Sequence, residues 1–250
     1  MMIKEQANRF NVVACGRRFG KTQGGIVLGV ETSLTGWPVG WFSPTYKMLA
    51  EIEREIVGTL RPAISRPSAQ EHRYELATGG VIELWSLDSP DTARGRRYQR
   101  IIVDEAAMVK DLGEAWNAVL RPTLMDYEGD AWFFSTPRGR NFFYEMWQWG
   151  QSDEFEEWTS WSFPTLANPY IKPTEVEGLK VTMPERTYRQ EILAEFLDDA
   201  GGVFRRVREN ATLEPGTPSE ETQYVFGVDW GKFNDFTVIT VMDAMTKQVT

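Results

Sequence analysis

The stretch CGRRFGKT at residues 15–22 decides the fold, and it follows the apolar, strand-like run VVA at residues 12–14. It ends in Gly20, Lys21 and Thr22. A glycine turn between a strand and a helix presents backbone N–H groups to a bound phosphate, and the lysine adds an ammonium for the β- and γ-phosphates. The threonine hydroxyl is a ligand for Mg²⁺. The stretch therefore predicts a nucleoside triphosphate site at a helix N-terminus.

A second apolar run, IIV at residues 101–103, ends in Asp104 and Glu105. Asp104 is placed to bind the other side of the metal, and Glu105 to polarise the attacking water. A lone glycine-lysine-threonine recurs by chance, whereas its pairing with a strand-borne aspartate and glutamate is much rarer. The two stretches together predict a nucleoside triphosphatase that uses Mg²⁺.

Composition narrows the class of protein. The chain has 250 residues, of which 42% are apolar, so it can bury a large core. A single cysteine, Cys15, excludes an internal disulfide, and with the single His72 it leaves too few ligands for a structural zinc site, which favours a reducing, intracellular setting. No apolar stretch reaches the roughly 18 residues of a membrane span. The net charge of -9 argues against a protein that coats DNA permanently, but it is compatible with a motor that binds DNA weakly and repeatedly.

Strand-like and helix-like segments alternate over the first 150 residues, which predicts an α/β domain with a largely parallel sheet. The predicted strands are 39–42, 101–103 and 131–134, with a hairpin at 73–76 and 81–85; the predicted helices are 22–32, 46–60, 112–120, 141–149 and 184–197. Proline, glycine and asparagine interrupt all periodicity at 209–223, which indicates a linker. Two further strand signals follow at 225–231 and 236–242. Two strands cannot form a domain, so they are either an edge addition or the opening of another domain.

Four blocks, taken in order, resemble the large terminase subunit of tailed double-stranded DNA bacteriophages, the motor that packages the genome into preformed capsids. They are residues 16–22, 101–108, 134–139 and 227–231. In the family these blocks correspond to Walker A, Walker B with its catalytic glutamate, the coupling motif and the first strand of an RNase H-like nuclease.

The resemblance implies a P-loop NTPase domain of the additional-strand catalytic-glutamate type, followed by a truncated RNase H-like segment. The ATPase domain would cover residues 1–208, including a C-terminal helical lid region from about residue 160. Residues 209–223 would be the linker, and 224–250 the first strands of the nuclease domain. Such a protein would hydrolyse ATP to drive DNA translocation, and the full-length protein would also cut DNA concatemers.

The resemblance also assigns roles to residues. Glu105 would be the catalytic glutamate, Arg17 would sense the γ-phosphate, and Arg94 resembles the arginine finger that a neighbouring subunit inserts into the site. Ser135 and Thr136 would couple hydrolysis to movement. Thr22 and Asp104 would hold Mg²⁺ at the ATP site, and the nucleotide-binding residues would be Gly16, Arg17, Arg18, Phe19, Gly20, Lys21 and Thr22.

Asp229 would be a metal ligand of the nuclease, with Asp235 a weaker candidate. Two-metal cleavage needs several carboxylates, and one strand cannot supply them, so we expect this chain as given not to cut DNA. The implied partners are double-stranded DNA, the portal protein and the small terminase subunit, with no membrane. The chain would form a homo-oligomeric ring on the procapsid, would be a monomer in isolation, and would act in the host cell cytoplasm.

Other interpretations fit the same residues. The sequence DEAA at 104–107 is also typical of superfamily 2 helicase-like ATPases. Cys15, which stands where the common phosphate-loop pattern has a glycine, favours a nucleotide-binding assembly switch with little turnover. Arg94 could equally be a loop arginine paired with Asp91, and Ser135 and Thr136 could simply begin the turn before Pro137.

Overall fold

The computed structural model describes residues 2–197, 222–230 and 237–246. The chain divides into two compact units, residues 1–199 and 200–250, which are described separately. None of the helices in the described ranges is long and apolar enough to cross a membrane.

The first unit alternates strands and helices. Its strands are β1 (Phe10–Cys15), β2 (Pro38–Ser43), β3 (Ile64–Ser68), β4 (Arg73–Leu76), β5 (Val81–Ser86), β6 (Arg100–Asp104), β7 (Asp130–Ser135) and β8 (Trp158–Phe163). Its α-helices are α1 (Met2–Glu5), α2 (Lys21–Leu34), α3 (Tyr46–Leu60), α4 (Leu112–Ala115), α5 (Phe142–Trp149), α6 (Pro173–Thr182) and α7 (Glu185–Glu191). Short 3₁₀ turns lie at Pro90–Ala93, Ala106–Met108 and Thr165–Ala167.

One eight-stranded sheet organises this unit, in the order β3-β4-β5-β2-β6-β7-β1-β8. The strands from β5 to β8 along this order are all parallel, and β3 and β4 are added antiparallel at one edge. Val12 of β1 and Val103 of β6 both lie opposite Phe133 of the intervening β7. The carboxyl ends of β1, β6 and β7 therefore meet at one edge, which is where ligands bind in open α/β sheets.

Apolar residues cover both faces of the sheet, as a parallel sheet requires. All six residues of β1 are buried. On one face, α2 and α3 pack over a cluster that contains Trp41, Ile102 and Trp132. On the other face, Phe10, Trp116 and Phe133 belong to a second cluster, which includes residues of α5. The core thus fixes the strand that carries the phosphate loop between its neighbours.

The predicted α/β class and parallel sheet are confirmed, as is the hairpin of β4 and β5. The helix predicted at 112–120 is confirmed, although only α4 is α-helical: the chain continues as a π-helix at Trp116–Leu120 and a 3₁₀ segment at Arg121–Tyr127. The helix predicted at 184–197 is too long, since α7 ends at Glu191 and Ala194 has a left-handed backbone (φ 59°). The strands β3 and β8 and the helix α6 are absent from the sequence-based prediction.

The second unit contains a two-stranded antiparallel sheet of β9 (Tyr224–Asp229) and β10 (Val238–Asp243). Both strands overlap the two strand signals of the sequence. Most of the predicted linker, residues 209–221, lies outside the described residues, as does Asp235. The RNase H-like character of this unit and the domain boundaries stay predictions.

Candidate nucleotide site

The phosphate loop is the segment 16–20, which joins β1 directly to α2. Two of its residues have left-handed backbones, Arg18 (φ 64°) and Gly20 (φ 105°). Gly20 tolerates this conformation because it has no Cβ, and α2 begins at the next residue, Lys21. The first N–H groups of a helix have no acceptor within that helix, so they face a ligand placed at its N-terminus. The predicted strand-loop-helix arrangement is therefore present.

The loop is held in place by residues about 150 positions later in the chain. The N–H of Gly16 donates to the carbonyl of Phe163 (2.9 Å), at the end of the edge strand β8. A Cβ on Gly16 would lie 2.5 Å from both Thr165 Oγ1 and the carbonyl oxygen of Ile192. Only glycine fits at this position without a backbone shift. This close contact explains the small residue at position 16.

Three more bonds hold the following two residues. The N–H of Arg17 donates to the carbonyl of Glu191 (2.7 Å), and Thr165 Oγ1 donates to the carbonyl of Arg17 (2.8 Å). Asn168 Nδ2 donates to the carbonyl of Arg18 (2.8 Å). These bonds fix the backbone of the loop, and the N–H groups left for an anion are those at the start of α2.

Lys21 and Glu105 form an ion pair at the centre of the site. Lys21 Nζ lies 2.9 Å from Glu105 Oε1 and 3.4 Å from Thr136 Oγ1. The side chains are only 11% and 22% exposed, so water screens their attraction little. The pair brings the proposed phosphate ligand and the proposed catalytic carboxylate to one point, although their positions are 84 residues apart in sequence (105 − 21).

Asp104 is a buried carboxylate with an incomplete set of partners. Thr22 Oγ1 donates to its Oδ2 (3.1 Å), whereas its Oδ1 is buried and has no hydrogen-bond partner among the described residues. Burial, and to a smaller extent the neighbouring Glu105, raises the pKa of Asp104 from 3.8 to about 6. A hydroxyl and a carboxylate oxygen are ligands that Mg²⁺ prefers, and an unpartnered buried oxygen suits a cation. Thr22 and Asp104 therefore fit the metal implied by the sequence.

Ser135 and Thr136 reach the same point from the end of β7. Ser135 Oγ lies 3.4 Å from Glu105 Oε2 and accepts a hydrogen bond from the N–H of Ala107 (3.1 Å). The carbonyl of Ala107 in turn accepts from Asn141 Nδ2 (2.9 Å). The predicted coupling residues thus contact both the lysine and the glutamate of the site.

The two arginines expected in catalysis are more distant from this centre. Arg17 is 71% exposed and forms an ion pair with Glu191, whose hydrogen bond raises the pKa of Arg17, with a smaller contribution from Glu105. Arg94 is exposed and pairs with Asp91 (2.6 Å), as the alternative interpretation of its loop expects. It lines a cavity of about 420 Å³ with residues that follow β2, β5 and β6. Arg17 therefore lies in the phosphate loop with its side chain paired to Glu191. Arg94 pairs with Asp91 and forms no hydrogen bond or ion pair with Lys21 or Glu105.

Asp229 lies in the second unit, at the end of β9, and its side chain is exposed. Across the part of the chain that the structure describes, no group of three or more histidine, cysteine, aspartate or glutamate residues could hold a metal ion. The metal role of Asp229 stays a prediction.

A second cavity, of about 390 Å³, lies beside the phosphate loop and is lined mainly by apolar side chains. Phe19 and Phe163 stack in its wall with ring centroids 4.9 Å apart, and Ile3 and Val27 line it from α1 and α2. Lys21 and Gln23 are its polar lining residues. The cavity is therefore a largely apolar space next to the phosphate loop.

Sequence reasoning missed the residues that support the site. Thr165 and Asn168 hold the loop, and Asn141 holds the turn after Glu105, but none belongs to a recognisable local motif. Asn141 was expected only as the start of a helix. Their roles depend on contacts between segments that are far apart in sequence, and no short pattern reveals such contacts.

A strand, a glycine-bearing phosphate loop and a helix, beside an aspartate and a glutamate at the end of a parallel strand, have the arrangement of a P-loop nucleoside triphosphatase domain. The chain belongs to the large terminase subunit family, since the family model described as "Terminase large subunit, T4likevirus-type, N-terminal" matches residues 16–211. The resemblance found in the sequence is thereby confirmed, and the helicase-like alternative is set aside.

The chain is 32% identical over 206 residues to the large terminase subunit of Escherichia phage T5, covering 81% of this chain and 47% of that protein. It also resembles the solved large terminase ATPase domain of Thermus phage P74-26, with a TM-score of 0.64, 23% identity, and coverage of 76% of this chain and 89% of that one. A third match is the large terminase of another thermophilic bacteriophage, solved in complex with ATP-gamma-S, with a TM-score of 0.60, 15% identity, and coverage of 96% and 60%. The chain spans about half the length of the curated relatives it matches.

Proposed function

We propose that this chain is the ATP-hydrolysing motor domain of a large terminase subunit and powers translocation of double-stranded DNA into a procapsid. The observation that carries the proposal is the convergence of Lys21, Thr22, Asp104 and Glu105 at the carboxyl edge of the sheet. Family membership and the relative solved with ATP-gamma-S support it. In this proposal the domain covers residues 1–208, and 224–250 begin an RNase H-like nuclease domain to which Asp229 contributes.

Each residue of the site has a role in the proposed reaction. Lys21 and the N–H groups at the start of α2 bind the β- and γ-phosphates, and Thr22 and Asp104 would hold Mg²⁺, which would offset phosphate charge. Glu105 orients the attacking water. Glu105 pairs with Lys21, so a γ-phosphate bound by the lysine would lie next to the carboxylate that orients the water.

The apolar cavity beside the loop is the place we assign to the nucleobase. Its phenylalanine pair offers a flat surface, and Lys21, which binds the phosphates in this proposal, is one of its lining residues.

Arg94 is proposed to act on the neighbouring subunit of a homo-oligomeric ring. In its own subunit it pairs with Asp91 rather than with the site, which agrees with a residue that acts in trans. A finger of this kind typically accelerates hydrolysis by about 10³ to 10⁵. We therefore expect an isolated subunit to hydrolyse ATP slowly, and the ring to assemble on a portal with a small terminase subunit in the host cell cytoplasm.

The test is steady-state ATP hydrolysis against protein concentration for the wild type, Glu105→Ala, Arg94→Ala and an equal mixture of the two variants. We expect each variant to be inactive and the mixture to recover turnover, because one variant supplies the finger and the other the base. Arg97→Ala is the matched control, since Arg97 is an exposed arginine of the same connection that pairs with Asp126.

Two results would contradict the proposal. A wild type that binds ATP but never hydrolyses it would show a nucleotide-binding assembly switch instead of a motor. An Arg94→Ala variant with full activity at every concentration would remove the finger assignment and leave the hydrolytic site itself intact.

A further inference from the structure

Glu105 has a backbone conformation that its neighbours must maintain. Its φ of 51° is left-handed, a conformation that is unfavourable for a non-glycine residue unless the surrounding structure holds it. It stands between the end of β6 and the 3₁₀ turn Ala106–Met108. The direction of its carboxylate therefore depends on what fixes that turn.

Ala107, in the middle of the turn, is held on both sides. Its N–H donates to Ser135 Oγ (3.1 Å), and its carbonyl accepts from Asn141 Nδ2 (2.9 Å). Ala107 is 3% exposed, so these backbone groups have no access to bulk water and need protein partners. Ser135 ends β7 and Asn141 precedes α5, so the two bonds tie the turn to both ends of the loop 136–140.

Asn141 makes this bond instead of the bond expected at its position. It is the N-cap residue of α5, where an asparagine side chain normally accepts a stabilising hydrogen bond from an N–H of the first turn. Here the side chain makes no capping bond, and its Oδ1 is buried without a hydrogen-bond partner among the described residues. The amide donates to Ala107, and α5 lacks a side-chain capping bond. Such an arrangement is typical of a residue that serves a site rather than stability.

We infer that Asn141 is a positioning residue for hydrolysis. It holds the turn after Glu105 so that the carboxylate faces the phosphate site, and it passes movement of the loop 136–140 to that turn. The inference rests on the proposed function, in which Glu105 orients the attacking water. It adds a residue outside the four family blocks to the coupling between hydrolysis and motion.

The variant Asn141→Asp separates the two roles of the side chain. An aspartate has nearly the same shape, cannot donate to the carbonyl of Ala107, and is a good N-cap for α5. We expect its melting temperature to stay within about 4 °C of the wild type, because a new capping bond to α5 offsets the bond lost at Ala107. Its Kd for a fluorescent ATP analogue should stay within about threefold. We expect kcat to fall by about 10- to 100-fold with KM nearly unchanged. Asn141→Ala, which adds no charge, should show the same fall in kcat.

The matched control is Asn117→Asp, an identical substitution at an exposed position of the same unit, which should leave kcat unchanged. The decisive comparison adds Glu105→Gln in single-turnover assays. If Asn141 acts through Glu105, Asn141→Asp in the Glu105→Gln background should lower the residual rate by less than about twofold.

Three outcomes would overturn the inference. They are an unchanged kcat in Asn141→Asp, a fall in kcat that accompanies equal losses of thermal stability and ATP affinity, and a full 10- to 100-fold further loss in the Glu105→Gln background. In each case an active wild type would leave the proposed ATPase function standing. A wild type that binds ATP without hydrolysing it would instead overturn both.

Discussion

Two buried carboxylates on the same sheet have opposite surroundings. Glu83 of β5 and Asp104 of β6 are 3% and 5% exposed, on strands that flank β2 on either side. Glu83 is fully partnered: it pairs with Arg73, with Arg96 (3.2 Å), and with the hydroxyl of Tyr98, which donates to its Oε2 (2.6 Å). Asp104 accepts one bond from a threonine side chain and has an unpartnered oxygen.

The difference separates a structural carboxylate from a functional one. A buried charge is unfavourable unless hydrogen bonds and opposite charges compensate for it. Compensation around Glu83 is complete within the protein, which ties β4 and β5 to the connection before β6. Compensation around Asp104 is incomplete, which is typical of groups that act on a ligand. Sheet position and burial alone would not distinguish the two residues.

The largest effect should come from Asp104→Asn on activity. In the proposed function Asp104 holds Mg²⁺, and an amide cannot replace its charge. We therefore expect kcat/KM for Mg-ATP to fall by at least about 10³-fold, which is about 4 kcal/mol of transition-state stabilisation. Steady-state ATPase assays measure this, with Asp126→Asn as the control because Asp126 is an exposed aspartate. Wild-type kinetics in Asp104→Asn would show that the metal is held elsewhere.

Glu83→Gln should have the largest effect on stability. The substitution leaves Arg73 and Arg96 without their buried partner. Breaking a fully buried pair costs about 3–5 kcal/mol, and the partial exposure of the two arginines places this loss at the lower end. We expect the free energy of unfolding, measured by urea denaturation, to fall by about 3 kcal/mol. The ATPase activity of the protein that remains folded should stay within a few-fold of the wild type.

Glu75→Gln sharpens this second prediction. Glu75 contacts the same Arg73 (3.2 Å), but its side chain is 37% exposed. The free energy of unfolding should therefore fall by less than about 1 kcal/mol in Glu75→Gln. Equal losses in the two variants would mean that burial does not set the value of these ion pairs.

Asp104→Asn should have a smaller effect on the free energy of unfolding in the absence of nucleotide and metal, and this effect should be stabilising. The pKa of Asp104 is about 6 in the folded chain against an ordinary 3.8, so the folded state binds more protons between these values. Wild-type stability should therefore be highest below about pH 4 with respect to this group, and should be lost as pH rises through 6. Asp104→Asn removes the unfavourable burial of an ionised carboxylate, so it should stabilise the protein by roughly 1–3 kcal/mol at pH 8.

Urea denaturation of both proteins at pH 5 and pH 8 in the presence of a chelator checks the sign. The gain at pH 5 should be the smaller of the two. A variant that is less stable than the wild type at pH 8 would mean that Asp104 is fully compensated, as Glu83 is.

The sequence predicted those parts of the site that depend on neighbouring residues. Lys21 and Thr22 follow a glycine turn, and Asp104 and Glu105 end an apolar strand, so short patterns contain the information. The roles of Thr165 and Asn141 depend on which segments the sheet brings together. Short sequence patterns do not contain that information. The same reason explains why β8 was missed: it is an edge strand of mixed polarity whose existence depends on β1.

The hydrogen bonds that hold the phosphate loop also determine when it can form during synthesis of the chain. Thr165 and Asn168 close it across 148 and 150 residues, and the carbonyl of Glu191 is needed as well. During synthesis the loop leaves the ribosome long before these partners, and at about 5–20 residues per second the delay is on the order of ten seconds. During that interval the nascent chain contains the complete phosphate-loop sequence but lacks the residues that hold it in place. We therefore expect a newly made subunit to bind ATP tightly only after translation has passed residue 191.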